Sequence, residues 1–131
     1  MKPQEVLALC REKNVKAVDL RFMDFPGLWQ HFTIPTTKLD EDVFENGLGF
    51  DGSSIRGWQA INESDMILKP DLEAVYVDPF SATPMAILFC DIVDPGTGEL
   101  YARDPRSTAK RAEAYLQATG VGDSVFVGPE A

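Results

Sequence analysis

The sequence predicts an α+β domain, a mixed sheet with one or two helices packed on it. Two segments, residues 18–22 and 28–34, alternate apolar and polar side chains as half-buried strands do. Residues 85–93 are nearly all apolar, and a well-capped helical pattern follows residue 104. Because the chain has 131 residues, 44% of them hydrophobic, it is long enough for one domain with a core of its own.

Net charge and cysteine content narrow the classes of function. The formal net charge is −9 and the isoelectric point is about 4.4, so we expect neither nucleic acid nor an anionic membrane as a partner. The longest apolar run, residues 85–90, is too short to span a bilayer, and the N-terminus carries no signal segment. We therefore predict a cytoplasmic protein in which Cys10 and Cys90 are reduced core residues.

The first part of the chain predicts a helix and a β-hairpin. Residues 3–14 begin with proline, which suits the first position of a helix, and end with an asparagine that can close it. Residues 18–22 predict a strand with one buried face, joined by a type II turn at residues 25–28 to a second strand. His31, the only histidine, lies on that second strand without partners at metal-ligand spacing, so we interpret it as structural.

The middle of the chain predicts a short helix and four strands. Residues 36–46 are typical of a loop and a short helix that ends at Gly47. Residues 65–68 and 74–77 predict two short strands with a proline-containing segment between them. Residues 85–93 predict the central strand, buried on both faces, and a turn after it leads to a brief return strand.

A final helix is predicted with Asp104 as N-cap, Pro105 as first residue and Gly120 as C-terminal stop. Its apolar helical spacing is given by Ala109, Ala112 and Leu116. Lys110 and Arg111 are expected on its solvated face.

The end of the chain predicts a further strand at residues 125–127, just before the sequence stops. A domain rarely stops one turn after an apolar strand begins. We therefore expect a piece of a longer protein, with a first domain over residues 1–122 and the start of a second over residues 123–131.

Residues 47–58 are predicted to be an irregular loop that carries chemistry. Glycines occupy four of its positions and allow left-handed backbone and a close approach to a ligand. Its polar and aromatic groups are Asp51, Ser53, Ser54, Arg56 and Trp58. Composition alone leaves a flexible surface loop as the alternative. Residues 47–52 also match G-x-G-x-x-G, but a dinucleotide site needs a strand before the motif and a helix after it, and we expect neither here.

Residues 50–57, Phe-Asp-Gly-Ser-Ser-Ile-Arg-Gly, resemble the N-terminal loop of bacterial type I glutamine synthetases. Further segments are similar to that family in the same order: residues 19–27, 30–35, 63–66, 77–80 and 101–106. The resemblance covers essentially the whole chain. It implies a β-grasp-like N-terminal domain of an ATP-dependent ligase, truncated before the catalytic domain.

For the full-length protein the resemblance implies glutamate–ammonia ligase activity. Such an enzyme joins ammonia to glutamate through a γ-glutamyl phosphate, giving glutamine, ADP and phosphate, and uses ATP with Mg²⁺ or Mn²⁺. The resemblance also implies a homo-dodecamer of two hexameric rings, in which the N-terminal domain of one subunit completes the active site of the adjacent subunit.

The same resemblance implies roles for four residues. Asp51 would bind ammonium and take its proton, Ser54 would line the same site, and Trp58 would lie near the nucleotide. Glu130 matches the first glutamate of a metal-binding pair whose second member is absent from this chain. No cofactor is therefore expected on this chain alone, because one carboxylate cannot complete the shell of Mg²⁺, and the chain alone is expected to be inactive.

Two other interpretations stay open. The full-length protein could be a related ligase that uses another amine, or the domain could be a non-catalytic interaction module on the same fold. Asp51 favours ammonium, because a small cation needs a close carboxylate.

Overall fold

The computed structural model describes residues 1–58 and 65–128. Three α-helices and five strands follow one another along this part of the chain. They are α1 (Pro3–Glu12), β1 (Ala17–Met23), β2 (Trp29–Pro35), α2 (Glu41–Asn46), β3 (Leu48–Asp51), β4 (Asp65–Val77), β5 (Met85–Val93) and α3 (Pro105–Thr119). The strands form one sheet in the order β2-β1-β5-β4-β3, in which β1 and β5 are parallel and the other neighbours are antiparallel. The predicted α+β class and the central position of β5 are confirmed.

The core lies between one face of the sheet and helices α1 and α2. Alternate residues of β1 and β5 belong to this core cluster, and α1 contributes Val6 and Cys10 to it. Cys10 and Cys90 are both buried and free, as predicted, and burial raises the pKa of both thiols. Asn14 ends α1 as predicted, with φ of 52° and its N–H donating to the carbonyl of Arg11.

The β1–β2 hairpin turn differs from the prediction by one residue. Its closing hydrogen bond runs from the N–H of Gly27 to the carbonyl of Asp24 at 3.0 Å, so Phe25 and Pro26 are its central residues. The buried carboxylate of Asp24 sets this register, because it accepts the N–H of Leu28 at 2.8 Å. The predicted type II turn at residues 25–28 is therefore wrong, since apolar pattern alone does not reveal a side-chain acceptor.

Strand β4 is one irregular strand where the sequence predicts two short ones. Its pairing with β5 shifts between Pro70 and Val75. Proline has no N–H for the ladder, and the Asp71 carboxylate takes the N–H of Glu73 at 2.9 Å. The chain stays extended through this interruption, so the two predicted strands at residues 65–68 and 74–77 are the ends of a single element.

Helix α3 has the predicted ends but not the predicted packing. Asp104 accepts the N–H of Arg106, and Gly120 stops the helix with φ of 66°. Within the helix only Ser107 is buried, whereas Ala109 and Ala112 are exposed. Of the three residues that give the apolar spacing, only Leu116 is half-buried, so this face contributes little to the core.

Ion pairs attach α3 to the sheet instead. Arg106 pairs with Asp91 at 3.1 Å and also with Asp71, and Lys110 contacts both carboxylates. The prediction that Lys110 is solvated is correct only in part: its side chain is 41% exposed, but its amine pairs with two acidic strand residues beneath this turn of the helix. Arg111 is exposed as expected and donates to the hydroxyl of Thr108.

The strand predicted at residues 125–127 is not formed. The side chains of Val125, Phe126 and Val127 are 65%, 95% and 86% exposed, and no described strand lies beside them to pair with their backbone. In the parts of the chain that the structure describes, no helix is long and apolar enough to cross a membrane.

The sheet face opposite the core carries a buried carboxylate. Asp19 is 2% exposed and accepts hydrogen bonds from Arg21 at 2.7 Å and Thr33 at 2.9 Å, while His31 Nδ1 lies 2.7 Å from it. Burial alone would raise the pKa of Asp19, but these hydrogen bonds outweigh burial and hold the pKa below its usual 3.8. His31 thus joins a cross-strand network that links β1 to β2.

The lowered pKa of Asp19 predicts a pH-dependent contribution to stability. A carboxyl with a depressed folded pKa stabilises the protein above its unfolded pKa, and the contribution is lost as the pH falls through the folded value. Asp19→Asn should therefore lower the free energy of unfolding by about 2 kcal/mol at pH 7. Urea unfolding of both proteins from pH 7 to pH 2 tests this. A difference that does not shrink below pH 3.8 would contradict the assignment.

Candidate active-site loop

Gly47 brings the chain from α2 onto the edge of the sheet. Its φ is 78°, and its N–H donates to the carbonyl of Val43 at 3.0 Å. A Cβ at this position would lie 2.4 Å from Ile67 Cγ2 and 2.6 Å from the carbonyl oxygen of Leu68. Only glycine lets the backbone pass this close to β4.

The first part of the predicted loop is edge strand β3, which corrects the prediction of irregular structure. Leu48 pairs with Leu68 and Asp51 pairs with Asp65, in antiparallel register. Side chains alternate here too, since Leu48 and Phe50 are half-buried and Gly49 between them is exposed. Because glycines are frequent in this segment, the sequence did not reveal the short alternation of half-buried and exposed residues. The strand lies inside the glycine motif, and a short 3₁₀ turn over Gly52–Ser54 follows it, so the context of a dinucleotide site is absent here.

Asp51 stands exposed at the end of β3 with its carboxylate oriented by the next turn. Its Oδ1 accepts the N–H of Ser53 at 2.9 Å and the hydroxyl of Ser53 at 2.6 Å. Ser54, which the resemblance singles out, is exposed one residue further along. No role was predicted for Ser53 from the sequence, although an aspartate followed two residues later by serine is a known local hydrogen-bonding pattern.

Buried residues anchor the far end of the loop. Ile55 is 8% and Trp58 is 4% exposed. The indole of Trp58 packs against Tyr101 at 5.2 Å and Phe22 at 5.6 Å between ring centroids, and Phe50 lies 6.3 Å away. Among the described residues, the buried Nε1 of Trp58 has no hydrogen-bond acceptor. The structure thus places Trp58 in the core, beneath the loop that carries Asp51.

Arg103 closes the loop from outside. Its Nη1 donates to the carbonyls of Gly57 and Trp58, both at 2.8 Å. This arginine lies in the family-like segment at residues 101–106, but no role was predicted for it, because its partners are main-chain atoms about 45 residues earlier.

Metal ligands are not assembled in the described residues. No group of three or more His, Cys, Asp or Glu side chains there is arranged to hold a metal ion. Glu130, the predicted metal ligand, lies outside those residues, as does the family-like segment at residues 63–64.

The fold and the similarity to known proteins together define the class and the family of this domain. The mixed sheet with α1 and α2 on one face and a polar loop at its edge belongs to the β-grasp class of α+β domains. A model of the family described as "Glutamine synthetase, beta-Grasp domain" matches residues 14–95, and the chain belongs to this family.

Curated relatives and a solved structure agree with this assignment. The chain is 60% identical over 127 residues to a glutamine synthetase of Rhizobium meliloti, covering 97% of this chain and 27% of that protein. It is also 53% identical over 126 residues to a 3-hydroxylaminophenol mutase of Cupriavidus pinatubonensis, covering 96% of this chain and 27% of that protein. A glutamine synthetase structure from Plasmodium falciparum superposes with a TM-score of 0.84 at 21% identity, over 94% of this chain and 24% of that one, which is likeness of fold. The chain spans little more than a quarter of the length of its curated relatives.

Proposed function

We propose that the chain is the N-terminal domain of a glutamine synthetase, and that its Asp51 binds ammonium and accepts a proton from it. The observation that carries the proposal is the position of Asp51. Its carboxylate is exposed at the end of β3, oriented by Ser53 and mounted on a loop anchored at both ends. The 60% identity to a glutamine synthetase supports the choice of reaction.

The chemistry of ammonium explains why a carboxylate is needed. At neutral pH ammonia is almost entirely protonated and has no lone pair, so the enzyme must bind a cation and then remove a proton. A carboxylate stabilises the cation through its charge and can then act as proton acceptor. The exposed hydroxyl of Ser54 would line the same site. Trp58 would lie near the nucleotide, with its buried ring shaping the loop edge.

ATP and a divalent metal would be held mostly by parts of the protein beyond this chain. We propose Glu130 as one ligand for Mg²⁺ or Mn²⁺ in the full-length enzyme, where the metal would stabilise the transferred phosphoryl group. The described residues do not form a metal site, so none of the roles assigned here passes through the metal.

We further propose that residues 1–122 form the domain and that residues 123–131 begin the next one. In a cytoplasmic homo-dodecamer of two hexameric rings, the Asp51 loop would complete the active site of an adjacent subunit. Exposed aromatic side chains support burial against other chains, among them Phe25 at 72%, Trp29 at 52% and Phe80 at 95% exposure.

The relative named as a mutase gives weight to a second candidate. High identity over this domain accompanies two different activity names, so the domain alone does not fix the substrate. A ligase that uses another amine, or a non-catalytic module, would share the fold. The activity test below separates these outcomes.

A domain graft tests the proposal. The present chain alone should form no glutamine, because phosphoryl transfer needs positioned nucleotide and metal. Replacing the matching domain of the Rhizobium meliloti enzyme with this chain should give an active graft. Glutamine formation is measured with ATP, glutamate, ammonium and Mg²⁺, with the ungrafted enzyme as reference. A folded graft that assembles without activity, or turnover by the isolated chain, would contradict the proposal.

A further inference from the structure

We infer that Arg103 is a positioning residue for the Asp51 loop, acting as a clamp on its far end; this inference rests on the proposed role of Asp51. The guanidinium joins two points of the chain that are far apart in sequence. One Nη1 holds two successive carbonyls, those of Gly57 and Trp58, at 2.8 Å each. A charged donor makes these hydrogen bonds stronger than neutral ones.

The clamp adds two hydrogen bonds to a segment in which the N–H of Trp58 already donates to the carbonyl of Ile55 at 3.2 Å. Among the described residues the Nε1 of Trp58 finds no acceptor, and the indole packs against the rings of Phe22 and Tyr101. Hydrogen bonds depend on direction more than apolar contact does, so the two bonds from Arg103 to the main chain fix the position of this segment further.

The base of the clamp is rigid. Arg103 lies between Tyr101, whose N–H donates to the carbonyl of Ile92 at 2.8 Å, and the fully buried Asp104. Asp104 caps α3 and also accepts from the hydroxyl of Ser107 at 3.2 Å. The arginine thus starts from the junction between the central strand and α3.

Aromatic contacts transmit the clamped position to Asp51. Trp58 lies 6.3 Å from Phe50, and Phe50 lies 5.2 Å from Phe22 in the core. Phe50 immediately precedes Asp51, so a shift of Trp58 alters the packing next to the carboxylate. A displacement of about 1 Å at a reacting group can cost up to about 100-fold in rate.

The test uses the full-length graft with Arg103→Ala, Arg103→Lys and the control Arg111→Ala. Arg111 is an exposed arginine of α3 whose recorded partner is Thr108, so its removal makes the same charge change away from the loop. We expect Arg103→Ala to lower kcat/KM for ammonium by about tenfold more than for hydroxylamine. Arg103→Lys should recover part of the loss, because lysine keeps the charge but lacks the planar fork.

A second readout does not depend on the reaction. This chain has two tryptophans, so Trp29→Phe leaves Trp58 as the only one. In this chain with Trp29→Phe, Arg103→Ala should shift the Trp58 emission to longer wavelength and increase its quenching by acrylamide. Arg111→Ala in the same chain should change neither the emission nor the quenching.

The outcomes separate the inference from the proposed function. If Asp51→Asn and Arg103→Ala share one role, the double variant should lose little more selectivity than Asp51→Asn alone. If Asp51→Asn lowers kcat/KM more for ammonium than for hydroxylamine but Arg103→Ala lowers both equally, the clamp is overturned and the proposed function stands. If Asp51→Asn lowers kcat/KM equally for the two nucleophiles, both the clamp and the proposed role of Asp51 are overturned. Unchanged Trp58 emission in Arg103→Ala would overturn the clamp by itself.

Discussion

Asp51→Asn in the full-length graft should lower kcat/KM for ammonium by at least about tenfold, because a hydrogen bond to a charged group contributes roughly 1.5–3 kcal/mol. Loss of the proton acceptor adds up to about 100-fold more. The change keeps the shape of the side chain, and the amide oxygen can still accept the N–H of Ser53. The loop should therefore keep its fold while the charge is lost.

Hydroxylamine separates chemistry from shape in this variant. It is mostly neutral near pH 7, so it needs neither a carboxylate to bind its charge nor a base to deprotonate it before attack. Its kcat/KM in Asp51→Asn should fall much less than that of ammonium, measured at one pH. The control Asp65→Asn makes the same change at the exposed residue that pairs with Asp51 across the sheet. Equal losses for both nucleophiles would show that Asp51 only holds the loop in shape.

Local signals in the sequence were sufficient for much of the fold. The cap at Asp104, the stop at Gly120 and the apolar run of β5 each depend on a few neighbouring residues, and all three are found in the structure. The central place of β5 also follows from its own burial on both faces. Elements of this kind need no knowledge of a distant partner.

Features set by distant partners were not predictable in the same way. Lys110 looks like a solvated helix residue until Asp71 and Asp91 are placed beneath it. The alternation in β3 covers only four residues, and its pairing with β4 is what makes it a strand. At the candidate site, Asp51 was found through resemblance, whereas Arg103 is defined by main-chain acceptors that no pattern in the sequence indicates.

Gly47→Ala should be among the most damaging single substitutions near the candidate site. Gly47 has φ of 78° and ψ of −170°, a region open almost only to glycine, and a non-glycine residue there costs roughly 1–3 kcal/mol. The new Cβ would also stand 2.6 Å from the carbonyl oxygen of Leu68, which is backbone and cannot rotate away. Together these effects should lower the free energy of unfolding by at least about 3 kcal/mol and the melting temperature by roughly 10 °C.

Gly49→Ala is the matched control, because the same methyl group is added two residues further along the chain, inside β3. No heavy atom lies within 4 Å of a Cβ at Gly49, and its φ is not in the left-handed region. Alanine there should be neutral or stabilising by up to about 1 kcal/mol, since glycine loses more backbone entropy on folding. Thermal and urea unfolding measure the melting temperature and the free energy of unfolding of both variants. If the two alanines cost the same, the close approach of Gly47 to β4 does not determine how the chain enters β3. If only Gly47→Ala is destabilised, and the graft that carries it also loses selectivity for ammonium, then the backbone turn at Gly47 is what delivers Asp51 to its position.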